Sequence, residues 1–219
     1  NPIFKRVRER IGYLQEHGGM PLRLANVASP LVTASMLWDY TDFMMALLES
    51  PKEVHHLLDM ITQATIDYVN MQLETITDLY SMGHEVLCVP REVGLRISDD
   101  TAVLLSPKLY REFGVHYNGR LAEAFGGIVV HACGDSKYII PAMLETPGLR
   151  GLDLTMPQNS DWSALTAAAG QVVLSLRHYY WDHEKANVDP VSYSRSLIDT
   201  FGTTGIFIVT SSPYAEQAR

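Results

Sequence analysis

The sequence predicts an α/β fold built on a parallel sheet, and two observations predict it. From Glu85 onward, short β-branched runs alternate with amphipathic helical stretches, the signature of repeated βα units. Residue types that bind metals or move protons recur just where each predicted strand ends. No Gly-rich phosphate loop of the G-x-G-x-x-G or P-loop type follows any strand, which weakens a nucleotide-binding reading. Periodicity alone leaves a TIM-type barrel and an open doubly wound sheet as alternatives.

Arg6 to His17 reads as a charged, partly amphipathic helix stopped by Gly18-Gly19, and Pro21 to Val27 as the first strand. The small-residue turn Ala28-Ser29-Pro30 leads into an apolar helix through Met36 to about Leu48. Ser50-Pro51 is an N-cap and N1 pair opening a long helix, in which Val54, Leu57, Leu58, Ile61, Ala64, Tyr68, Met71 and Leu73 recur at helical spacing. Glu85 to Val89 is expected to form a buried strand, with Cys88 in the core. Ser106-Pro107 opens a helix to Phe125. Strands follow at Gly127–His131, Leu149–Leu154, Gln171–Leu176 and Ile206–Val209, separated by helices at Tyr138–Glu145, from near Asp161, and at Pro190–Phe201.

That makes six strands where a closed barrel needs eight. Together with an opening at Asn1-Pro2 rather than Met, this predicts one domain over residues 1–219 whose N-terminal part is missing.

Composition narrows the function. The 17 basic against 25 acidic side chains give −8, with no basic stripe for nucleic acid or an anionic membrane. Two distant cysteines, no leader-like start and no membrane-length apolar run point to the cytoplasm, and a small-molecule substrate is the partner expected. A homo-oligomer is left open.

Asn26 ends the first predicted strand, Arg91 and Glu92 follow the second, and His131 and Cys133 end the third. Asp153 ends the fourth, Arg177 and His178 the fifth, and Thr210, Ser211 and Ser212 the sixth. The sharpest feature is His131-Ala132-Cys133-Gly134-Asp135. Residues i and i+2 on a strand share a side, with Cβ atoms about 6–7 Å apart. An imidazole nitrogen and a thiolate so placed reach one zinc ion at about 2.0 and 2.3 Å. The competing reading is a structural cysteine beside a core histidine. Gly134 allows a tight exit, and Asp135 is expected to cap the next helix rather than orient a ligand. Asp99-Asp100 are expected to form a turn, and His55-His56 to lie on a solvated helix face. The loop RHYYWDHE (177–184), with Tyr180, suits a contact to a flat ring or a surface cover.

The segments ISDDTAVLLSPKLYREFGVHYNGRLAEAF (97–125), GIVVHACGDSKYIIPAMLET (127–146) and LRGLDLT (149–155) resemble the central stretch of the uroporphyrinogen decarboxylase superfamily. ANVASPLVTASML (25–37) resembles that family's Gly-Ala-Pro-x-Thr-Leu turn. The resemblance implies a (β/α)8 barrel. Of the decarboxylase's catalytic groups, an arginine and an aspartate belong to N-terminal segments outside this chain. Its tyrosine falls on Met36, and its histidine falls near Ser211 or Ser212.

The superfamily's cobalamin-dependent methyltransferases hold zinc with a His-x-Cys pair and a later cysteine. His131 and Cys133 match the pair, while Ser211 or Ser212 stands at the third position. A metal there would recruit another group, such as Asp153, Glu92 or His178. The resemblance thus implies a zinc-assisted methyltransferase using a corrinoid carried by a partner protein. Asn26, Arg91, Glu92, Tyr180 and Ser211 are its candidate substrate-binding residues. The alternatives are a carboxy-lyase using Asp153, Arg177 and His178, and a non-catalytic corrinoid- or tetrapyrrole-binding domain.

Overall fold

The computed structural model of the chain describes residues 2–83, 87–155, 162–178 and 190–210. In chain order they form α1 (Pro2–His17), β1 (Leu22–Arg23), α2 (Pro30–Leu37), α3 (Tyr40–Glu49), α4 (Pro51–Thr75), β2 (Leu79–Ser81) and β3 (Leu95–Ser98). Then come α5 (Pro107–Tyr110), α6 (His116–Phe125), β4 (Ile128–Ala132), α7 (Ile140–Met143), β5 (Leu149–Thr155), α8 (Trp162–Ala168), β6 (Val173–His178), α9 (Pro190–Phe201) and β7 (Ile206–Thr210). A 3-10 turn spans Asp100–Leu104, and a π-helical turn, Arg111–Val115, joins α5 to α6.

Strands β3 to β7 form one sheet in sequence order, every pair parallel. β1 and β2 form a second parallel pair. A bridge between Ala28 and Ser98 and the Ser29 N–H on the Ser98 carbonyl at 2.8 Å link the segment after β1 to β3. Among the described residues the strands do not close into a barrel.

Period-two alternation gives the main sheet two unlike faces. Leu95, Ile97, Ile128, Val130, Ala132, Leu152, Leu154, Leu174 and Leu176 are fully buried on the helix-covered face, where α6 meets β3 and β4. Each leucine, isoleucine or valine buried there contributes about 1.5–3 kcal/mol. The opposite face carries Arg96, Ser98, His131, Asp153, Ser175 and Arg177. The candidate site is built on that face.

Several sequence expectations need correction. The strand predicted from Pro21 to Val27 shrinks to Leu22–Arg23, although the chain stays bonded further on. Its ladder breaks because it changes partner: Leu24 N–H bonds to Ser81 at 3.1 Å, while the Val27 carbonyl accepts from Ser98 at 3.1 Å. The helix drawn to Leu48 is two helices. Trp38 is extended, and the Asp39 carboxylate caps α3 by accepting from Thr41 and Asp42 at 3.0 and 3.2 Å. Ser50 makes no side-chain cap bond, since its N–H closes α3 on Ala46 while Pro51 opens α4. The predicted Tyr138–Glu145 helix is only Ile140–Met143.

The strand predicted at 85–89 does not form over 87–89, its described part. Leu87 and Val89 are buried, but they belong to a segment that folds over the polar face of the sheet. There Cys88, Pro90 and Val93 line a small apolar cavity with Val129, Gly151 and Val173. Val89 is fixed by its N–H on Ser81 Oγ at 2.9 Å and its carbonyl on Met82 N–H at 2.8 Å. The true strands on either side, β2 and β3, lie outside the predicted span. Gly94 (φ +107°) stands just before β3, where any Cβ would collide with the Gly127 main chain, so the amino ends of β3 and β4 meet through two glycines.

Candidate functional site

Register builds the site. Ser98, His131, Asp153 and Ser175 are successive neighbours across β3 to β6, and such neighbours in a parallel sheet point to one face. Arg96 lies two residues before Ser98 and Arg177 two after Ser175, so both arginines share that face.

Asp153 is the hub. Its carboxylate, fully buried, accepts from Arg96 Nε at 2.8 Å, Ser175 Oγ at 2.8 Å and Arg177 Nε at 2.7 Å. The second nitrogens of both arginines, Arg96 Nη2 and Arg177 Nη2, also meet Oδ2. Burial pushes the Asp153 carboxyl up, but hydrogen bonding to His131 and the charges of Arg96, Arg177 and His131 outweigh it. The carboxyl therefore titrates far below the usual range.

His131 Nδ1 lies 2.8 Å from the Asp153 carbonyl oxygen and 3.2 Å from its carboxylate. A carbonyl oxygen only accepts, so Nδ1 carries a proton and the tautomer is fixed. Nε2 then faces outward, 3.3 Å from Cys133 Sγ and 3.9 Å from Asp100 Oδ1. Burial works most strongly against the imidazolium, yet hydrogen bonding to Asp153 and Cys133, with the Asp153 charge, lifts His131 to about 9. Ligand atoms of Asp100, His131 and Cys133 lie within 4.8 Å of one another. This nitrogen, sulfur and oxygen set fits a borderline dication such as zinc, and an imidazole anchored through its other nitrogen is how proteins orient a metal-binding histidine.

Asp99 fastens the loop beneath this set. It is fully buried and accepts from Ser29 Oγ at 2.7 Å, Tyr110 OH at 2.8 Å and Asn118 Nδ2 at 2.8 Å. Burial raises its carboxyl, and these bonds offset only part of the rise. Residues eight apart on an uninterrupted α-helix stand about 80° out of line. The π-helical turn, Arg111–Val115, underwinds the helix so that Tyr110 and Asn118 both aim at this carboxylate.

The remaining predicted residues fall elsewhere. Arg91 and Glu92 are exposed in a turn before β3, at the amino end of the sheet, so they are not strand-end groups and Glu92 does not join the His131 set. Asn26 is exposed and lines a shallow cleft with Met36, Leu37, Ala64 and Tyr68, which none of the His131 set lines. Asp153 is not a third ligand beside Cys133; it stands behind His131, engaged with both arginines. His178 closes β6 opposite Thr210. Tyr180, Ser211 and Ser212 lie outside the described residues.

Asp135 accepts from the Lys137 N–H at 3.1 Å and shapes a turn, because α7 starts only at Ile140. Cys88 is half-buried in a loop rather than in a core strand. His55, expected on a solvated face, bonds Tyr117 OH at 2.8 Å and stacks on Phe113. Arg96 and Asp100 escaped the sequence reading as site residues. Their only signal is the resembling segment that begins at Ile97, with Asp100 inside it and Arg96 just before it.

A family model described as uroporphyrinogen decarboxylase (URO-D) matches residues 3–174, a span that holds Arg96, Asp100, His131, Cys133 and Asp153 and stops short of Arg177 and His178. No curated protein matches the chain.

Proposed function

The chain belongs to the uroporphyrinogen decarboxylase (URO-D) family, and from that premise we propose that it is a zinc-assisted methyltransferase, moving a methyl group from a corrinoid on a partner protein to a thiol or related acceptor. One observation carries the reading. His131 is tethered through Nδ1 to Asp153 and presents Nε2 to Cys133 Sγ at 3.3 Å.

In this reading His131 and Cys133 hold the metal. When bound, zinc supplies the Lewis acidity that deprotonates an acceptor thiol near neutral pH. The chain's own residues do the positioning. Asp153 keeps the proton on His131 Nδ1 and so leaves Nε2 as the donor. Arg96 and Arg177 hold the Asp153 carboxylate ionised and fixed behind the ring. Asp99 locks the neighbouring loop through Ser29, Tyr110 and Asn118.

A carboxy-lyase is the second reading, favoured by the direct Asp153–Arg177 pair on the same face as His131. It ranks lower because both groups are buried and committed to each other, and because the position matched to the decarboxylase tyrosine is Met36, a thioether without a phenol's hydrogen bond.

The test mixes zinc-loaded protein with methylcobalamin and a simple thiol and follows the corrinoid spectrum. Demethylation by wild type, abolished in Cys133→Ala, is the expected result. Metal-free turnover of a porphyrinogen would replace this reading with the lyase. Corrinoid binding without methyl transfer would leave a binding module.

A further inference from the structure

The metal reading leaves open what completes the ligand set, and the geometry points to Asp100: we propose that it is the third protein ligand, making this a mixed nitrogen–sulfur–oxygen site. The proposal rests on the reading above and names the donor that would serve in place of the second thiolate used by the family's methyltransferases.

The backbone places Asp100 there. Ser98 sits opposite His131 in the β3–β4 register, so the residue two beyond Ser98 comes opposite Cys133. The Asp99 N–H bonds the His131 carbonyl at 2.7 Å and extends the ladder past the last strand residue. At Asp99 (φ −132°, ψ 53°) the chain leaves the extended form and enters the 3-10 turn that Asp100 opens. With the Asp99 side chain buried among Ser29, Tyr110 and Asn118, Asp100 emerges on the other side, beside Cys133. A turn-forming aspartate accepts from the main chain two residues on. Asp100 Oδ1 instead accepts the Cys133 N–H at 2.8 Å, across to the next strand's tip.

The distances suit one ion. Ligands at about 2.0–2.3 Å from a tetrahedral zinc stand about 3.3–3.5 Å apart. Nε2–Sγ is 3.3 Å, Nε2–Oδ1 is 3.9 Å and the three ligand atoms lie within 4.8 Å of one another, so an inward movement of about an ångström by the half-exposed Asp100 side chain completes the arrangement. A thiolate and a carboxylate beside a neutral imidazole balance a dication. A carboxylate in place of a thiolate also hardens the site, turning its preference from cadmium toward zinc and cobalt.

The test titrates metal-free protein with Co²⁺ and measures Zn²⁺ and Cd²⁺ affinities against a competing chelator. Wild type, Asp100→Ala, Asp100→Asn, Asp100→Cys and Cys133→Ala are compared, with thermal melting as the check on folding. Asp100→Asn retains an oxygen acceptor for the Cys133 N–H, so it serves if Asp100→Ala fails to fold. We expect zinc affinity to fall at least about 100-fold in Asp100→Ala, and by less but measurably in Asp100→Asn. Asp100→Cys should shift preference toward cadmium and strengthen the sulfur-to-cobalt charge-transfer band. Wild-type zinc affinity in both Asp100→Ala and Asp100→Asn, with binding lost in Cys133→Ala, overturns the role of Asp100 alone. No metal bound by wild type overturns the metal reading and this inference with it.

Discussion

Asp153→Ala should destabilise the chain by about 3–5 kcal/mol, because it removes the carboxylate that two buried guanidinium groups share. Arg96 and Arg177 are both fully buried, and Asp153 accepts two bonds from each while also taking the Ser175 hydroxyl. Native domains have only about 5–15 kcal/mol in hand, so this loss is a large fraction of the total. Asp153→Asn keeps the shape but removes the negative charge, and should fall between wild type and alanine. Urea unfolding of the three proteins measures the order. An alanine variant within about 1 kcal/mol of wild type would mean that the arginines have other sufficient partners.

A second large loss is expected at Asp99. Asp99→Ala leaves the Ser29 hydroxyl, the Tyr110 phenol and the Asn118 amide without their shared acceptor in a buried space. Each orphaned donor costs about 1–3 kcal/mol, partly relieved by Asn118 turning to Tyr110 OH, which it already reaches at 3.1 Å. The net expectation is about 2–4 kcal/mol. Asp99→Asn should cost under about 1 kcal/mol. Its carbonyl oxygen can still serve Tyr110 and Asn118, the Ser29 hydroxyl can rotate to accept from its NH₂, and no charge is left to desolvate. Equal losses in the two variants, measured by the same unfolding curves, would show that the carboxylate's charge rather than its acceptor geometry holds the loop.

Residues explain which parts of this fold were legible. β4 to β7 show because their helix-facing positions are aliphatic, as in Ile128, Val130, Leu152, Leu154, Leu174 and Leu176. β3, with the sequence LRIS, hides because its alternate positions are Arg96 and Ser98 on a polar inner face, so a true strand reads as a loop. The opposite error occurs at 85–89, where Leu87 and Val89 are apolar in order to cover the sheet rather than to join it.

In the site, the His131–Cys133 pair is readable because its spacing of two is local. Asp99 and Asp100 read as one acidic turn, yet they face opposite ways, one into a hydrogen-bonded pocket and one toward Cys133. Only long-range register separates them, since the bond from Cys133 to Asp100 spans two strands that are joined through α5 and α6.

The proposed chemistry rests on His131 and Cys133 forming a metal centre at the tip of β4. Metal content of protein purified from zinc-supplemented cells tests it directly, comparing wild type with His131→Ala and Cys133→Ala. Stoichiometric zinc in wild type, lost from both folded variants, is the expected result. A metal-free wild type, or zinc retained in full by both variants, would contradict it.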